Sequence, residues 1–138
     1  MANLLAVWRV HGVDTAMRVA WQAGVVLAGV SAGSLCWFEA GTTDSYDDEL
    51  RPMPPGLGLL PGSNCPHYDS EARRRPVFQG LIGAGAIPAG YAAEDGVGLH
   101  FIGTELTEVL AHPAGKHAYR VEVVDGSVVE TPLPARTL

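Results

Sequence analysis

The expected fold follows from one stretch of sequence, Val25-Val26-Leu27-Ala28-Gly29-Val30-Ser31-Ala32-Gly33. Its first five residues form a short apolar run that ends in glycine, which is typical of a strand buried on both faces of a parallel sheet. Residues 33–39 can begin a helix, so the predicted order is strand, sharp turn and helix. A serine between two glycines in this setting fits the nucleophile-elbow pattern, in which a strained turn lifts the hydroxyl above the sheet. The alternative interpretation is a glycine-rich turn without chemistry.

A nucleophilic Ser31 needs a base within hydrogen-bonding reach and an acid that orients this base, because a serine hydroxyl is a weak nucleophile at neutral pH. His67 is the preferred base because it follows a short predicted strand at 57–60 and Pro66 stiffens its loop. It lies 36 residues beyond Ser31, which is enough chain for a crossover to the next parallel strand. Four other histidines are interpreted as surface or core residues: His11, His100, His112 and His117.

The orienting acid is predicted at a turn that contains Glu94, Asp95 and Gly96, directly after a predicted strand at 90–93. Asp95 is preferred narrowly over Glu94 because it adjoins Gly96, and the alternative is that these acids only shape the turn. An acid between the serine and the histidine would instead give the residue order of an α/β-hydrolase. Three aspartates lie in that interval: Asp44, Asp47 and Asp48.

The rest of the chain is expected to supply helices first and strands last, within one domain over residues 1–138. Two N-terminal helices are predicted, one over 4–10 that ends at Gly12 and one that Asp14 caps and that runs to Trp21. Residues 41–56 are interpreted as a mobile surface loop, and a helix is predicted over 71–82. Further strands are predicted at 98–102, 119–124 and 128–131, which makes the C-terminal third β-rich.

Composition limits the partners that we expect for this chain. Of its 138 residues, 47% are hydrophobic and 17% are charged, which is typical of a globular domain and not of a disordered chain. The net charge of −6 offers no broad attraction to nucleic acid or anionic lipid. The basic run Arg73-Arg74-Arg75 is too short to reverse this, and it can be read as three solvent-facing arginines. No membrane-spanning segment is predicted, because polar residues and glycines interrupt the apolar window 20–38.

The two cysteines, Cys36 and Cys65, and the lack of a signal-peptide pattern favour a reducing cytoplasm. The cysteines form no Cys-x-x-Cys pair and neither lies in the elbow, so a cysteine-based activity is disfavoured. A zinc site built on Cys65 and His67 would need two further ligands, and none stands out nearby. We therefore expect neither a metal nor an organic cofactor.

Four segments together resemble the peptidase E (aspartyl dipeptidase) family of serine peptidases, and the resemblance runs over nearly the whole chain. They are Gly-Val-Ser-Ala-Gly at 29–33, Thr-Thr-Asp-Ser at 42–45, Cys-Pro-His-Tyr-Asp at 65–69 and Ala-Glu-Asp-Gly at 93–96. The resemblance implies a flavodoxin-like fold related to class I glutamine amidotransferases, with a mostly parallel sheet and flanking helices. It also implies hydrolysis of short peptides, and of dipeptides with an N-terminal aspartate in particular.

The resemblance also assigns roles to single residues. It implies that Ser31 is the nucleophile, that His67 is the base, and that Asp95 takes the acid position, where relatives can carry glutamate. It places Asp44 beside the site rather than in the triad. It further implies that Arg73 binds the substrate carboxylate, a task suited to a planar guanidinium, although the neighbouring arginines leave this assignment open.

Members of the family are longer than this chain, and the part that we expect to be missing is the N-terminal half of the domain. The oxyanion of the reaction needs two donors, and Ala32 would supply one through its backbone N–H. The resemblance implies that the second comes from glycines in the missing half. An incomplete sheet would leave an apolar edge, so we expect a homodimer or an aggregation-prone monomer. The alternative function is a weakly active or inactive remnant that acts only through self-association.

Overall fold

The computed structural model describes residues 1–46 and 48–138, which form a mixed α/β structure. The α/β class expected from the sequence is thereby confirmed. The helices are α1 (Ala2–Val10), α2 (Val13–Gln22), α3 (Ala32–Leu35) and α4 (Arg74–Gly83). The strands are β1 (Phe38–Thr43), β2 (Arg51–Pro52), β3 (Leu60–Cys65), β4 (Gly90–Ala93), β5 (Val97–Ile102), β6 (Glu105–Ala111), β7 (Ala118–Val124), β8 (Ser127–Leu133) and β9 (Arg136–Thr137).

Six strands form the main sheet, in the order β2-β1-β3-β4-β7-β8. β1, β3 and β4 are parallel neighbours, whereas β2, β7 and β8 pair antiparallel, so the sheet is mixed and not mostly parallel. The cause lies in the connections. Asp125 and Gly126 alone join β7 to β8, both with positive φ, and so short a connection permits only a hairpin. A second sheet has the order β5-β6-β9.

The core lies between α4 and the main sheet. Phe78 and Ile82 are four residues apart, so they share one face of α4, and both are buried. They pack against a cluster from the sheet and its loops: Cys65, Tyr68, Ile87, Ala92 and Val121. The second sheet is joined to the main one by edge-to-face contacts of Phe101 with Phe38 and Tyr91, whose ring centroids lie 5.8 and 5.7 Å away.

The two N-terminal helices form a hairpin that is tied to the loop after β2. Gly12 makes the reversal with a φ of 68°, a backbone conformation that glycine adopts at little cost. Gly12 also takes the N-cap position predicted for Asp14. Asp14 instead lies in the first turn of α2, where its negative charge interacts favourably with the positive end of the helix dipole. Arg9 donates to the carbonyl of Gly56 at 3.0 Å and Arg18 to that of Leu57 at 2.6 Å. These bonds fix the hairpin against the chain that leads into β3.

The strand predicted at 25–29 is absent from the structure. Residues 25–29 belong to no helix or strand, and Val26 is 89% exposed. Among the described residues, no main-chain hydrogen bond involves residues 26–29. A β-strand exists only when a neighbour accepts and donates its ladder bonds, and no described strand lies beside this segment. The apolar run therefore remains unpaired and largely exposed.

Two further predictions around β1 were wrong. The helix predicted over 33–39 ends at Leu35, and the loop predicted over 41–56 begins as the last part of β1. The reason is tertiary, because Ala40 and Gly41 pair in register with Ser63 and Asn64 of β3, and this pairing overrides the local helix signal. Part of the predicted loop, Asp47, lies outside the described residues.

Elsewhere the predicted elements are confirmed with shifted bounds. The helix predicted over 71–82 is α4, the strand predicted at 90–93 is β4, and the last two predicted strands are β7 and β8. The strand predicted at 57–60 begins only at Leu60, and β6 was not predicted. No helix in the described part of the chain has the length and apolar character that crossing a membrane requires.

Candidate active site

Ser31 lies at the sharp turn that enters α3. Its φ is 54° and its ψ is −117°, a backbone conformation that L-residues rarely adopt and that is typical of strained functional sites. Gly29 makes the turn possible, because a Cβ at this position would lie 2.1 Å from the carbonyl oxygen of Gly33. The elbow geometry is therefore present, although the strand expected before it is not.

His67 lies on the loop that leaves the carboxyl end of β3, as the sequence predicts. Its φ of 59° is also positive. Its Nε2 atom lies 2.8 Å from Oγ of Ser31, and its Nδ1 atom lies 2.7 Å from Oδ1 of Asp95. Because a carboxylate only accepts hydrogen bonds, Nδ1 carries a proton in this arrangement and Nε2 accepts from the serine hydroxyl. The structure thus brings Ser31, His67 and Asp95 into one hydrogen-bonded chain.

Asp95 lies in the turn between β4 and β5. The Ser70 hydroxyl and His67 donate hydrogen bonds to its carboxylate, and these bonds hold the pKa of Asp95 below its ordinary value. The cause is that both donors stabilise the charged form. The group facing the imidazole is therefore an ionised carboxylate at neutral pH.

Glu94, the alternative acid, bonds to residues other than His67. Its carboxylate accepts from the backbone N–H of His117 at 3.0 Å and from the Tyr119 hydroxyl at 2.9 Å. Both partners belong to β7 or to the loop before it. Of the two acids left open by the sequence, Asp95 contacts the imidazole, whereas Glu94 forms hydrogen bonds with β7 and the residue before it.

Ala32 is the first residue of α3. The first amides of a helix have no acceptor within the helix, so its N–H is available to a ligand beside Ser31. The α3 turn is held on the sheet by Asn64, which is buried, accepts from the Ser34 hydroxyl at 2.8 Å and donates to the carbonyl of Tyr91 at 3.2 Å. This amide joins the serine turn to the strands that carry the histidine and the acid.

The three consecutive arginines occupy three different environments, so the interpretation of a uniformly solvent-facing run is wrong. Arg74 is buried and binds Glu71 and the carbonyl of Thr42. Arg75 pairs with Glu130 and lies over the rings of two tyrosines, Tyr68 and Tyr119. Arg73 is exposed, and it has no carboxylate partner among the described residues.

Arg73 and Asp44 line a common pocket of about 270 Å³ together with Leu50, Glu71 and Ala72. Neither of them lines the larger groove of about 930 Å³ that contains Ser31 and His67. The structure therefore brings the two predicted substrate-binding residues to each other, but it does not bring them into the groove of the serine.

The larger groove is mainly apolar. Its walls come from the unpaired segment 25–30, from β5, and from Trp37 and Leu60. Within the described residues no lysine or arginine lines it, and its acidic residues are Glu94 and Asp95. A peptide bound here would meet apolar surface beside the serine hydroxyl.

The two cysteines are buried and free. Burial raises the pKa of Cys36 and of Cys65 to about 11, so both remain protonated thiols at neutral pH. Among the described residues, no group of three or more histidine, cysteine or acidic side chains is arranged to hold a metal ion.

Sequence reasoning missed four residues that support the site: Asn64, Asp69, Ser70 and Lys116. Asp69 is the last residue of the segment at 65–69 that carries the resemblance and Ser70 follows it, so their position near His67 in the sequence was the available signal. Asn64 and Lys116 had no such signal, because their contacts depend on how the strands pair.

Comparisons with known proteins point to one family. The sequence pattern of peptidase family S51 matches residues 1–109. An uncharacterized peptidase of Bacillus subtilis (strain 168), YgaJ, is 46% identical over 136 residues, which are 99% of this chain and 58% of the relative. This chain thus spans less than two thirds of the length of that relative. No solved structure matches the present chain. The match over most of the chain and the identity to the Bacillus peptidase show that the chain belongs to peptidase family S51.

Proposed function

We propose that this chain carries the catalytic residues of a serine peptidase that cleaves short peptides. The observation that carries the proposal is the hydrogen-bonded chain from Ser31 Oγ through the imidazole of His67 to Asp95, with distances of 2.8 and 2.7 Å. Membership in a peptidase family and the strained backbone of Ser31 support it. In this proposal Ser31 is the nucleophile, His67 the general base and Asp95 the orienting acid.

The reaction follows from these positions. His67 Nε2 takes the proton of the Ser31 hydroxyl as Oγ attacks the peptide carbonyl, and the imidazolium then protonates the leaving amine as the C–N bond breaks. Water enters next, gives a proton to His67 and attacks the acyl-serine ester, which releases the acid and returns the proton to Ser31. Asp95 stays ionised throughout, holds the Nδ1 proton and stabilises the imidazolium.

The developing oxyanion needs donors that are already in place before the reaction. We propose the backbone N–H of Ala32 as one of them, because it lies directly after the nucleophile at the start of α3. A site with a single donor typically works about 100 to 1,000 times more slowly than one with two. The loss of one donor supports the alternative proposal, a weakly active or inactive chain.

We also propose a flavodoxin-like arrangement of the main sheet, which the parallel strands β1, β3 and β4 support.

We propose dipeptides with an N-terminal aspartate as substrates and Arg73 as the residue that binds their carboxylate, with Asp44 beside it. This rests on the resemblance of the sequence segments and on the exposure of Arg73. The shared pocket of Arg73 and Asp44 is separate from the serine groove, so a bound peptide would have to reach across both.

We also propose a cytoplasmic location for this chain, which its two free cysteines support.

A second proposal concerns association. We propose that residues 25–30 pair with a second copy of this chain, since Val26 and Val30 are 89% and 85% exposed and the backbone at 26–29 has no main-chain partner among the described residues. An unpaired apolar segment of this kind is a template for strand addition. Self-association would cover the apolar side chains and satisfy the free N–H and C=O groups together.

The first prediction concerns the nucleophile. With a chromogenic aspartyl substrate, we expect Ser31→Ala to reduce kcat/KM about 10⁴-fold or to the background rate, because no other group can form the acyl intermediate. Ser127→Ala, a change at an exposed serine at the start of β8, serves as the control and should retain full activity. Equal background rates for the unmodified chain and both variants would reject the peptidase proposal and favour the inactive remnant.

The second prediction separates the two acids. We expect Asp95→Asn to lower kcat about 10³- to 10⁴-fold, because an amide no longer selects the tautomer with a proton on Nδ1. Glu94→Gln should lower it less than about tenfold, since Glu94 contacts β7 and not the imidazole. Steady-state kinetics of the two isosteric variants measure this difference. A larger effect of Glu94→Gln than of Asp95→Asn would make Glu94 the orienting acid.

The third prediction concerns substrate binding. If Arg73 binds the substrate carboxylate, Arg73→Met should raise KM for the aspartyl substrate about 10- to 100-fold, the scale of one charge-assisted hydrogen bond. KM for the matching alanyl substrate should not change. Arg136→Met, on β9, is the control for the loss of an exposed positive charge. An unchanged preference for aspartate in Arg73→Met would exclude this residue as the specificity determinant.

The fourth prediction concerns association. Light scattering after size exclusion should give twice the mass of one chain, and Val26→Asp should give a single chain, because a carboxylate at this position opposes apolar pairing. Val123→Asp, at an exposed valine of β7, is the matched control and should not change the mass. A concentration-independent monomer of the unmodified chain would reject the proposal.

A further inference from the structure

Asp95 is held at two separate points. Its carboxylate accepts from Nδ1 of His67, while its own backbone N–H donates to Oδ1 of Asp69 at 2.9 Å. The side chain of Asp95 is 51% exposed, so packing alone does not fix its rotation. The backbone bond to Asp69 is therefore a constraint on where the Asp95 carboxylate points.

Asp69 is itself anchored. Lys116, on the loop between β6 and β7, forms an ion pair with its second oxygen. Burial acts to raise the pKa of Asp69, but the hydrogen bonds from Lys116 and from the Asp95 amide outweigh burial and hold this pKa below its ordinary value. Asp69 is thus an ionised acceptor, whose first oxygen bonds to the Asp95 amide and whose second oxygen bonds to Lys116.

The turn that carries Asp95 has little space to move towards the β6–β7 loop. Gly96 has a φ of 85°, and a Cβ at this position would lie 2.1 Å from the carbonyl of His112. The loop that supplies Lys116 therefore also packs against the turn itself.

We propose that Asp69 is a positioning residue, which fixes the backbone of the Asp95 turn so that the Asp95 carboxylate meets Nδ1 of His67. The expected effect on kcat rests on the proposed serine-peptidase function, whereas the placement of the Asp95 carboxylate by Asp69 does not. Asp69 contacts neither Ser31 nor the imidazole in the hydrogen bonds described, so it would act only through Asp95.

The charge of Asp69 and its positioning role would shift the pKa of Asp95 in opposite directions, so the direction of the shift distinguishes them. The groups that face Asp95 are donors, a cation and a like charge: His67, Ser70, Lys116 and Asp69. As a like charge, Asp69 acts to raise the pKa of Asp95, so removal of its charge alone would lower this pKa further. Loss of positioning has the opposite effect, because the carboxylate would leave its donors and its pKa would rise.

The experiment is a carbon-13 NMR titration of the Asp95 carboxyl in the full chain and in two variants. In Asp69→Ala, which removes both the charge and the acceptor, we expect the pKa of Asp95 to rise towards the ordinary aspartate value of 3.8. In Asp69→Asn, which keeps an oxygen for the Asp95 amide, the pKa should stay low or fall. Asp69→Ser, whose oxygen is one bond too short to reach the amide, replaces the alanine variant if that variant does not fold.

Activity gives a second readout. Misplacement of a reacting group by about 1 Å can cost about 100-fold, so Asp69→Ala should lower kcat about 10- to 100-fold with little change in KM, and Asp69→Asn should restore most of it. A pKa of Asp95 that falls or stays low in Asp69→Ala would overturn the positioning role. If Asp95 titrates as expected but no variant turns over substrate, the positioning role holds and the proposed peptidase function fails.

Discussion

The pairing of β3 with β4 is the constraint on which the site depends. Cys65 lies opposite Ala92 in this parallel pair, so the chain leaves both strands at the same edge of the sheet. The loop with His67 and the turn with Asp95 begin within two or three residues of these partners. The backbone N–H of Tyr68 donates to the carbonyl of Ala93 at 3.1 Å, which continues the ladder past the strands. A change of register by one residue would separate the imidazole from its carboxylate.

The serine reaches this edge by a different route. Ser31 is placed by α3 and by the bond from Ser34 to the buried Asn64 of β3, so the nucleophile is held from its C-terminal side. On its N-terminal side the segment 25–29 has no ladder partner among the described residues. The strained φ of Ser31 is therefore maintained by α3 and by the close approach of Gly29 to Gly33 rather than by a strand. The unpaired segment also forms a wall of the apolar groove.

Local signals predicted the elements whose conformation is decided locally, and they failed where pairing decides. Gly12 and Gly24 end or begin helices through positive φ, and the hairpin at Asp125 and Gly126 needs no distant partner, so all three could be predicted. Residues 25–29 have the composition of a buried strand, but composition cannot supply the neighbour that a strand requires. In the same way the sequence around Ser31 and His67 indicated which residue types could react, whereas the partners Asn64 and Lys116 depend on tertiary contacts that have no local pattern.

The arrangement of acids explains why one carboxylate among three is free to orient the imidazole. Glu94, Asp69 and Asp95 lie close together in a chain of net charge −6, and like charges at this distance repel. Each acid is assigned different donors: Glu94 accepts from β7 and the residue before it, Asp69 from Lys116 and a backbone amide, and Asp95 from His67 and Ser70. The first two carboxylates thus bond to donors other than the imidazole. The two acids that do not face the histidine thus hold the elements around the one that does.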